Sequence, residues 1–278
     1  MNSKLVFFDL DGTIWDFNGV IPQSATKAIK LLNAKGNIPV ICSGRAKGHI
    51  RDKALFDMNF KGIVAACGAH VEYDSKMIYE KYLTDDQVKE IIRLSKDCKV
   101  PLVLEGPKKH WISSEGFEKD DFVHRMYKVM KEDALSLDDF KDGMKVNKFS
   151  GDFIRISDAE TFKNEISKTY KVIWHGLTPD VNQNPDMNPS AIVGVFEAII
   201  PGITKADGIR MFCENLGADP SKAYAIGDSN NDLDMIECVG TGIAMGNASQ
   251  SLKEVADYVT DDIHKDGIFN ALKHFDLI

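Results

Sequence analysis

Two pairs of aspartates, one pair near each end of the chain, are the residues of this sequence best suited to chemistry. Asp9 and Asp11 follow one short apolar run, and Asp228 and Asp232 follow another. Carboxylates that crowd together either raise one another's pKa values or require a cation. An oxygen-rich site of this kind suits Mg2+, whose coordination is often completed by substrate phosphate. If the two pairs meet, the sequence predicts a magnesium site at which phosphate chemistry can occur.

The residue types around this site predict phosphoryl transfer. Asp9 can attack phosphorus and form an acyl phosphate. Asp11 lies two residues further on, so an extended backbone points both side chains to the same side. In that position Asp11 can protonate the leaving oxygen and later deprotonate an attacking water. Lys205 and the Ser43 hydroxyl can stabilise the phosphoryl group, because this reaction depends mainly on positioning and charge neutralisation.

The apolar pattern predicts the sheet that must position these residues. Short apolar runs ended by turn residues indicate buried strands, and their alternation with amphipathic helices is typical of a parallel sheet. The predicted strands are 5–8, 38–42, 62–67, 192–200, 223–226, 241–244 and 256–260, and the predicted helices are 22–35, 205–216, 233–239 and 267–275. Ligands bind at the carboxyl edge of such a sheet, so the polar clusters after these strands are expected to converge.

The middle of the chain has a denser charge pattern and predicts a different domain. A helix is expected at 85–98, strands at 102–104, 110–113, 146–149, 153–156 and 171–175, and a loop rich in Asn, Asp and Pro at 179–189. The fold class predicted is therefore α/β, with a doubly wound parallel-sheet core and an inserted α+β cap domain. Residues 1–83 and 187–278 form the predicted core, and residues 84–186 form the predicted cap.

The motifs resemble those of the haloacid dehalogenase superfamily of phosphohydrolases. The run from Asp9 to Thr13 matches the D-x-D-G-T signature, and Ser43 at a strand end matches the second motif. Lys205 matches the lysine of the third motif, and the run from Gly227 to Asp232 matches the G-D-x-x-N-D of the fourth. The insert resembles, by position and length, the α/β cap of the Cof-type subgroup, class IIB. The resemblance implies a Rossmann-like core and a cap that selects the substrate.

The same resemblance implies catalytic roles for the first and last motifs. Asp9 would be the nucleophile and Asp11 the acid and base. Mg2+ would be held by Asp9, by the backbone carbonyl of Asp11 and by Asp228. Asp232 would orient metal-bound waters or the lysine, and Asn231 would support that network.

The resemblance also implies how the phosphoryl group is bound. Its oxygens would contact Ser43, the Gly44 amide and Lys205. Arg45 follows in the same loop. Its role stays open, because it could guide phosphate or pair with a nearby carboxylate.

Each motif taken alone has an ordinary structural explanation. The run from Asp9 to Thr13 could be a strand end followed by a turn, and the run from Asp228 to Asp232 could be a helix cap. Lys205 alone could be a solvated surface lysine. Their joint occurrence in this order, at strand ends or at the start of a helix, favours the catalytic interpretation.

The predicted function is Mg2+-dependent hydrolysis of phosphate monoesters of small metabolites through a phosphoaspartate. Sugar phosphates are expected first, and nucleotide or cofactor phosphates next. A phosphomutase or phosphotransferase on the same fold would share these core motifs, and a non-catalytic sensor of a phosphorylated ligand is the alternative from another class. Physiological substrate and oligomeric state stay open.

Composition excludes several other classes of protein. The chain has 34 basic and 42 acidic residues and a net charge of -8, which argues against nucleic acid as a partner. Its five cysteines form no C-x-x-C pair, so neither a zinc knuckle nor a redox dithiol is indicated. Neither an export signal nor a membrane span is recognisable. A cytoplasmic protein with reduced thiols is expected.

Overall fold

A computed structural model describes residues 3–113, 122–175 and 192–278. The chain divides into two compact units. The first consists of Met1–Arg45, Arg51–Glu80 and Ile203–Ile278, and the second of Ala46–Ile50 and Lys81–Gly202.

The described strands and helices are numbered in chain order. The strands are β1 (Leu5–Phe8), β2 (Ile38–Cys42), β3 (Gly62–Ala65), β4 (His70–Tyr73), β5 (Lys76–Glu80), β6 (Leu102–Glu105), β7 (His110–Ile112), β8 (Ala134–Ser136), β9 (Lys148–Ile154), β10 (Lys171–His175), β11 (Ile192–Ile199), β12 (Tyr224–Gly227), β13 (Thr241–Ala244) and β14 (Tyr258–Val259). The α-helices are α1 (Gln23–Ala34), α2 (Lys53–Asp57), α3 (Asp85–Asp97), α4 (Phe122–Met130), α5 (Ala159–Ile166), α6 (Lys205–Asn215), α7 (Leu233–Cys238), α8 (Gln250–Val255) and α9 (Gly267–His274).

The first unit is built on a sheet of eight described strands. Their order is β14-β13-β12-β1-β2-β3-β4-β5. The first six strands in this order run parallel, and β4 and β5 join antiparallel at the edge. All four residues of β1 are buried, as expected for a central strand whose two faces are both covered. The predicted α/β class with a parallel-sheet core is confirmed.

Two helices of this unit follow directly from the sequence pattern. Helix α1 buries Ala25, Ala28, Ile29 and Leu32, the apolar face that the spacing predicts. Helix α6 begins at Lys205 because the Thr204 side chain accepts from the backbone N–H of Asp207, whose carboxylate accepts in return from the backbone N–H of Thr204. This reciprocal cap sets the residue at which α6 begins, and with it the position of Lys205.

The second unit contains a sheet of six described strands in the order β10-β11-β9-β6-β7-β8. All neighbouring pairs are antiparallel except β7 and β8. Aromatic side chains fill much of its core, with Phe149, Phe153, Phe162 and Phe196 fully buried. Gly151 in β9 is required by close packing, because a Cβ there would lie 2.1 Å from the carbonyl oxygen of Pro101.

The strand predicted at 192–200 forms, as β11, but its predicted place in the parallel sheet is wrong. It pairs antiparallel with β9 and β10 in the second unit. The division between the units therefore falls at 202/203, whereas the sequence places it at 186/187. An apolar run has the same pattern in either kind of sheet, so the sequence did not distinguish them.

Other boundaries also differ from the sequence-based expectation. The strands predicted at 146–149 and 153–156 are one strand, β9, because Ser150, Gly151 and Asp152 continue it while fully buried. The edge hairpin of β4 and β5 and the helix α4 were not predicted. The loop predicted at 179–189 lies outside the described residues. Within those residues, no helix combines the length and apolar character needed to cross a membrane.

Candidate active site

Adjacent strands of the parallel sheet bring the predicted residues to one edge. Asp9 follows β1, Ser43 follows β2 and Asp228 follows β12, and β1 pairs with both of the other two strands. The three side chains are almost completely buried. The predicted convergence at the carboxyl edge therefore occurs among strands that are neighbours in space.

Lys205 lies at the centre of this site. Its Nζ donates to Asp9 Oδ1 at 2.7 Å and to Asp232 Oδ1 at 2.5 Å. It also lies 3.4 Å from Asn231 Oδ1. The lysine side chain is only 1% exposed, so it is a buried cation and not a solvated surface residue.

Burial and charge act against each other on this ion pair. Burial by itself lowers the pKa of Lys205, but the carboxylates of Asp232 and Asp9 raise that pKa well above its ordinary value. The pKa of Asp9 is raised well above its ordinary value, first by burial and then by the Asp232 charge, although Lys205 opposes the shift. Three buried carboxyl groups, Asp9, Asp228 and Asp232, lie at this site with one buried lysine.

Asp232 joins the lysine to the backbone of the last motif. Its Oδ2 accepts from the backbone N–H groups of Asp228 and Ser229, both at 3.0 Å, while its Oδ1 accepts from Lys205. Gly227 leaves room for it, because a Cβ there would lie 2.7 Å from Asp232 Cγ. Asp232 is therefore a cap of its own turn and a partner of the lysine, so the structural and functional explanations both apply to it.

Asp228 is held against the first motif. Its Oδ1 accepts from Thr13 Oγ1 at 3.2 Å, and burial together with Asp232 raises its pKa to about 7. A Cβ on Gly12 would lie 2.2 Å from Asp228 Oδ2. Gly12 also has a φ of +79°, in the left-handed region, so both its space and its conformation require glycine.

The structure adds two residues to the Asp228 region that the sequence did not indicate. The Asn247 side chain donates to the Gly12 carbonyl at 2.8 Å, and the Ser249 backbone N–H donates to the Asp228 carbonyl at 2.8 Å. Both lie after β13, a strand neighbouring β12. Their polar side chains, which follow a short apolar strand, are the sequence feature that could have identified them.

A divalent cation fits the buried carboxylates of this site. Asp9, Asp228 and Asp232 each offer an oxygen, and these oxygens lie within 4.8 Å of one another. Both Asp232 oxygens already accept hydrogen bonds, which leaves Asp9 and Asp228 as the better ligands. Burial first, and then the Asp232 charge, raises the pKa values of these two carboxyl groups. A hard cation with oxygen ligands would supply the missing positive charge.

Asp11 takes part in a separate set of contacts. Arg45 holds its carboxylate through both oxygens, with Nε 2.7 Å from Oδ2 and Nη2 2.6 Å from Oδ1. Trp15 donates its indole N–H to Oδ1 at 2.9 Å, and its ring lies 5.1 Å from the Arg45 guanidinium carbon. The sequence left two roles for Arg45, guiding phosphate or pairing with a carboxylate. In the structure it pairs with a carboxylate, that of Asp11. The part played by Trp15 was not predicted.

Ser43 and Gly44 lie in the same loop as Arg45. The Ser43 side chain is buried, and its Oγ accepts from the backbone N–H of Arg45 at 3.2 Å. Its own backbone N–H donates to Val64 in β3, which anchors the loop to the sheet. A Cβ on Gly44 would make only an ordinary contact, 3.5 Å from Cys67 Sγ, so steric space does not require this glycine.

Comparison with known proteins is consistent with this arrangement. The family model of haloacid dehalogenase-like hydrolases matches residues 6–272. The chain is similar to "Putative phosphatase YkrA" of Bacillus subtilis (strain 168), with 31% identity over 284 residues and full coverage of both chains. It is also 26% identical to 5-amino-6-(5-phospho-D-ribitylamino)uracil phosphatase YcsE of the same strain, over 98% of this chain and 95% of that protein.

A solved structure has the same fold. The sugar phosphatase BT4131, described as a member of subclass IIB, matches with a TM-score of 0.76 and 24% identity. The match covers 99% of this chain and 100% of that one. It therefore includes the insert as well as the parallel-sheet core.

Proposed function

The chain belongs to the haloacid dehalogenase-like hydrolases, as a phosphatase with the Cof-type subclass IIB fold, and from this premise we propose that it hydrolyses phosphate monoesters of small metabolites with the aid of Mg2+. The proposed reaction passes through a phosphoaspartate on Asp9. The observation that carries the proposal is the buried contact of Asp9 with Lys205, beside the carboxylates of Asp228 and Asp232.

The donor set supports Mg2+ as the cation. Asp9, Asp228 and the backbone carbonyl of Asp11 would hold it, while Asp232 and Asn231 would support the network around Lys205. When bound, Mg2+ supplies positive charge that offsets the carboxylates and the phosphoryl oxygens. Oxygen-rich sites with few protein ligands are typical of this ion in phosphoryl transfer.

The first half of the proposed reaction transfers the phosphoryl group to the protein. An Asp9 oxygen attacks phosphorus, the bond from phosphorus to the leaving oxygen breaks, and that oxygen takes a proton from Asp11. Ser43, the Gly44 amide and Lys205 stabilise the phosphoryl oxygens. Lys205 suits this task because the carboxylates around it keep it charged.

The second half returns the protein to its starting state. A water attacks phosphorus, gives its proton to Asp11, and breaks the bond between phosphorus and Asp9. Phosphate leaves, and the Asp9 carboxylate again pairs with Lys205. Asp11 therefore acts first as an acid and then as a base.

The substrate class we propose is phosphorylated sugars first, and nucleotide or cofactor phosphates next. The names of two similar proteins support this range, since one is a sugar phosphatase and the other a phosphatase of a phosphoribitylaminouracil. The proposed compartment is the cytoplasm. Its support is that all five cysteines are free thiols, as expected where disulfides are kept reduced.

The test is phosphate release from a panel of phosphorylated sugars, nucleotides and cofactors, with Mg2+ and with EDTA. We expect Mg2+-dependent release that EDTA abolishes and that Asp9→Asn removes. Conversion of a sugar phosphate to its isomer without phosphate release would favour a phosphomutase. Binding of Mg2+ and substrate without turnover would favour a sensor, and either result would contradict the proposed hydrolysis.

A further inference from the structure

A turn of three residues with left-handed backbone lies beside the candidate active site. It is Ala66–Gly68, which follows β3, and its φ values are +49°, +53° and +95°. Alanine and cysteine rarely adopt positive φ, because their Cβ atoms then crowd the backbone. Such strain persists only where the surrounding structure enforces it, and it is frequent at functional sites. We refer to Ala66–Gly68 as the spacer turn.

The first two residues of the spacer turn hold the loop formed by residues 43–45, which carries two of the proposed phosphate ligands. The backbone N–H of Ala66 donates to the Arg45 carbonyl at 2.8 Å. The backbone N–H of Cys67 donates to the Ser43 carbonyl at 3.2 Å. Both hydrogen bonds join main-chain groups, so they depend on the path of the turn and not on its side chains.

The third residue, Gly68, packs against the start of α6. A Cβ on Gly68 would lie 2.2 Å from the Thr204 carbonyl oxygen, and a Cβ on Gly208 would lie 3.0 Å from Gly68 Cα. The Thr204 carbonyl belongs to the peptide group that leads into Lys205, and it accepts from the backbone N–H of Gly208 at 3.1 Å. A Cβ at either glycine would therefore move the turn and the helix apart.

Ser43 and Lys205 are both proposed to contact the phosphoryl oxygens, so the distance between their parts of the chain matters. Stabilisation of a transferring phosphoryl group depends mainly on positioning and charge. Lys205 is 1% exposed, and its Nζ lies 2.7 Å from Asp9 Oδ1 and 2.5 Å from Asp232 Oδ1. A close-packed side chain has little room to compensate for a shift of its own backbone. A displaced start of α6 would therefore carry Lys205 away from the phosphoryl group.

We propose that the spacer turn sets the distance between the 43–45 loop and Lys205, with Gly68 as the positioning residue. Because Gly68 has no side chain, the start of α6 approaches the turn, while the main chain of the turn holds the loop. The inference rests on the proposed function, since it concerns the spacing of proposed phosphate ligands. The proposed Mg2+ ligands Asp9 and Asp228 follow other strands, β1 and β12, so Mg2+ binding should change little when the spacing is altered.

Calorimetric titration separates the two kinds of binding. Each variant of the full chain is titrated with Mg2+ alone and then, once saturated with Mg2+, with inorganic phosphate. Gly68→Ala adds the Cβ that would meet Thr204. Gly217→Ala is the matched control, because Gly217 follows the other end of α6, has a φ of +61° and has open space where its Cβ would lie. Circular dichroism and thermal unfolding verify that each variant is folded.

We expect both substitutions to lower the midpoint of thermal unfolding, since alanine is strained at positive φ, but only one of them to weaken phosphate binding. Gly68→Ala should reduce phosphate affinity by about tenfold or more, as expected when a charged hydrogen bond is weakened. Its Mg2+ affinity should stay within about threefold of wild type. Gly217→Ala should leave both affinities within about twofold of wild type.

Gly208→Ala alters the same contact without backbone strain. Gly208 lies inside α6, where alanine is favoured over glycine. The added Cβ would lie 2.4 Å from Val64 Cγ1 and 3.0 Å from Gly68 Cα, so it should move the helix away from the turn. We expect the same selective loss of phosphate affinity, and this variant decides the question if Gly68→Ala does not fold.

A glycine with a merely structural role would give a different result. A smaller loss of phosphate affinity in either folded variant rejects the spacer role. An equal loss of Mg2+ and phosphate affinity also rejects it, because general distortion of the site produces that pattern. Turnover of p-nitrophenyl phosphate by the wild-type protein separates the two proposals. Absence of turnover rejects the proposed hydrolysis, whereas turnover combined with unchanged phosphate affinity in the variants rejects only the spacer role.

Discussion

Among the described residues, each compact unit has a lysine buried beside carboxylates, and the two sites differ in the exposure of those carboxylates. In the first unit, Lys205 contacts Asp9 and Asp232, both nearly inaccessible to solvent. In the second unit, Lys148 lies 2.5 Å from Glu197, which is 32% exposed, and 3.8 Å from buried Glu105. Glu105 in turn accepts from Ser150 Oγ at 2.6 Å.

The contrast lies in how far the carboxylates are buried. The Lys205 site adds a third buried carboxylate, Asp228, whose pKa is raised to about 7 by burial and by Asp232. In the Lys148 site, one carboxylate reaches solvent, which screens its charge. A further cation would offset the buried carboxylates of the first arrangement, whereas water reaches a carboxylate of the second. A buried lysine therefore indicates a reactive site only where the carboxylates around it are all buried as well.

The largest effect is expected from replacing the proposed nucleophile. Asp9→Asn keeps the side-chain volume but removes the attacking oxygen anion, so kcat should fall by about 10^4-fold or more. Phosphate release under saturating Mg2+ measures it. Glu197→Gln makes the same chemical change beside Lys148, and its kcat should stay within about threefold of wild type. Near-normal turnover in Asp9→Asn would reject the covalent route.

The next effect concerns the stability of the two buried lysines. Lys205→Met leaves buried carboxylates without their cation and should lower the free energy of unfolding by about 3–5 kcal/mol. Lys148→Met should cost about 1–2 kcal/mol, because Glu197 can be hydrated and Glu105 keeps its hydrogen bond from Ser150. Urea unfolding in EDTA measures both values. Equal losses would mean that the difference in exposure between the two sites is not what distinguishes them.

Removing a proposed metal ligand should have a smaller effect. Asp228→Ala eliminates a carboxylate and should weaken Mg2+ affinity by about 10–100-fold, with activity falling in parallel. Calorimetric titration with Mg2+ in the absence of substrate measures the binding directly. Glu105→Ala in the second unit is the control and should bind Mg2+ as wild type does. An unchanged metal response in Asp228→Ala would remove Asp228 from the ligand set.

The smallest effect is a dependence of Mg2+ binding on pH. The pKa of Asp228 is about 7, well above its unfolded value, so its proton stabilises the metal-free fold below the unfolded pKa and that stability is lost as the pH rises through 7. Mg2+ must displace this proton. Its affinity should therefore rise by at least about tenfold per pH unit as the pH rises toward 7. Calorimetry from pH 5.5 to 8.5 tests this. A flat profile would contradict the displacement of a proton by Mg2+, and Asp228→Asn should make the profile less steep.

Much of the fold could be predicted because burial and turn chemistry leave local signals. The bounds of β1, β2, β10 and β13 agree with the strands predicted from the sequence. Each of these strands is a short run of residues, and the residue pattern changes clearly where the run ends. The hairpin of β4 and β5 was missed because its turn is formed by Asp74 and Ser75, both with positive φ, and lacks the glycine that usually marks such turns.

The site was predicted as a set of residues and not as a set of contacts. The short-range spacing of Asp9 with Asp11, and of Asp228 with Asp232, identified which groups could act. It did not indicate that Asp11 would be held by Arg45 and Trp15. It also did not indicate that one Asp232 oxygen would accept hydrogen bonds from two backbone N–H groups. Those choices depend on the distances and directions of side chains from different strands.

The sequence by itself determined the chemical groups, the α/β class and the start of α6 at Lys205, because these depend on neighbouring residues. Tertiary structure alone decided which distant groups meet. Lys205 pairs with Asp9 across 196 positions, and Thr13 with Asp228 across 215. It also decided that β11 joins the antiparallel sheet. The physical reason is that an apolar strand can be buried equally well against several partners, and only the packing of the whole chain selects among them.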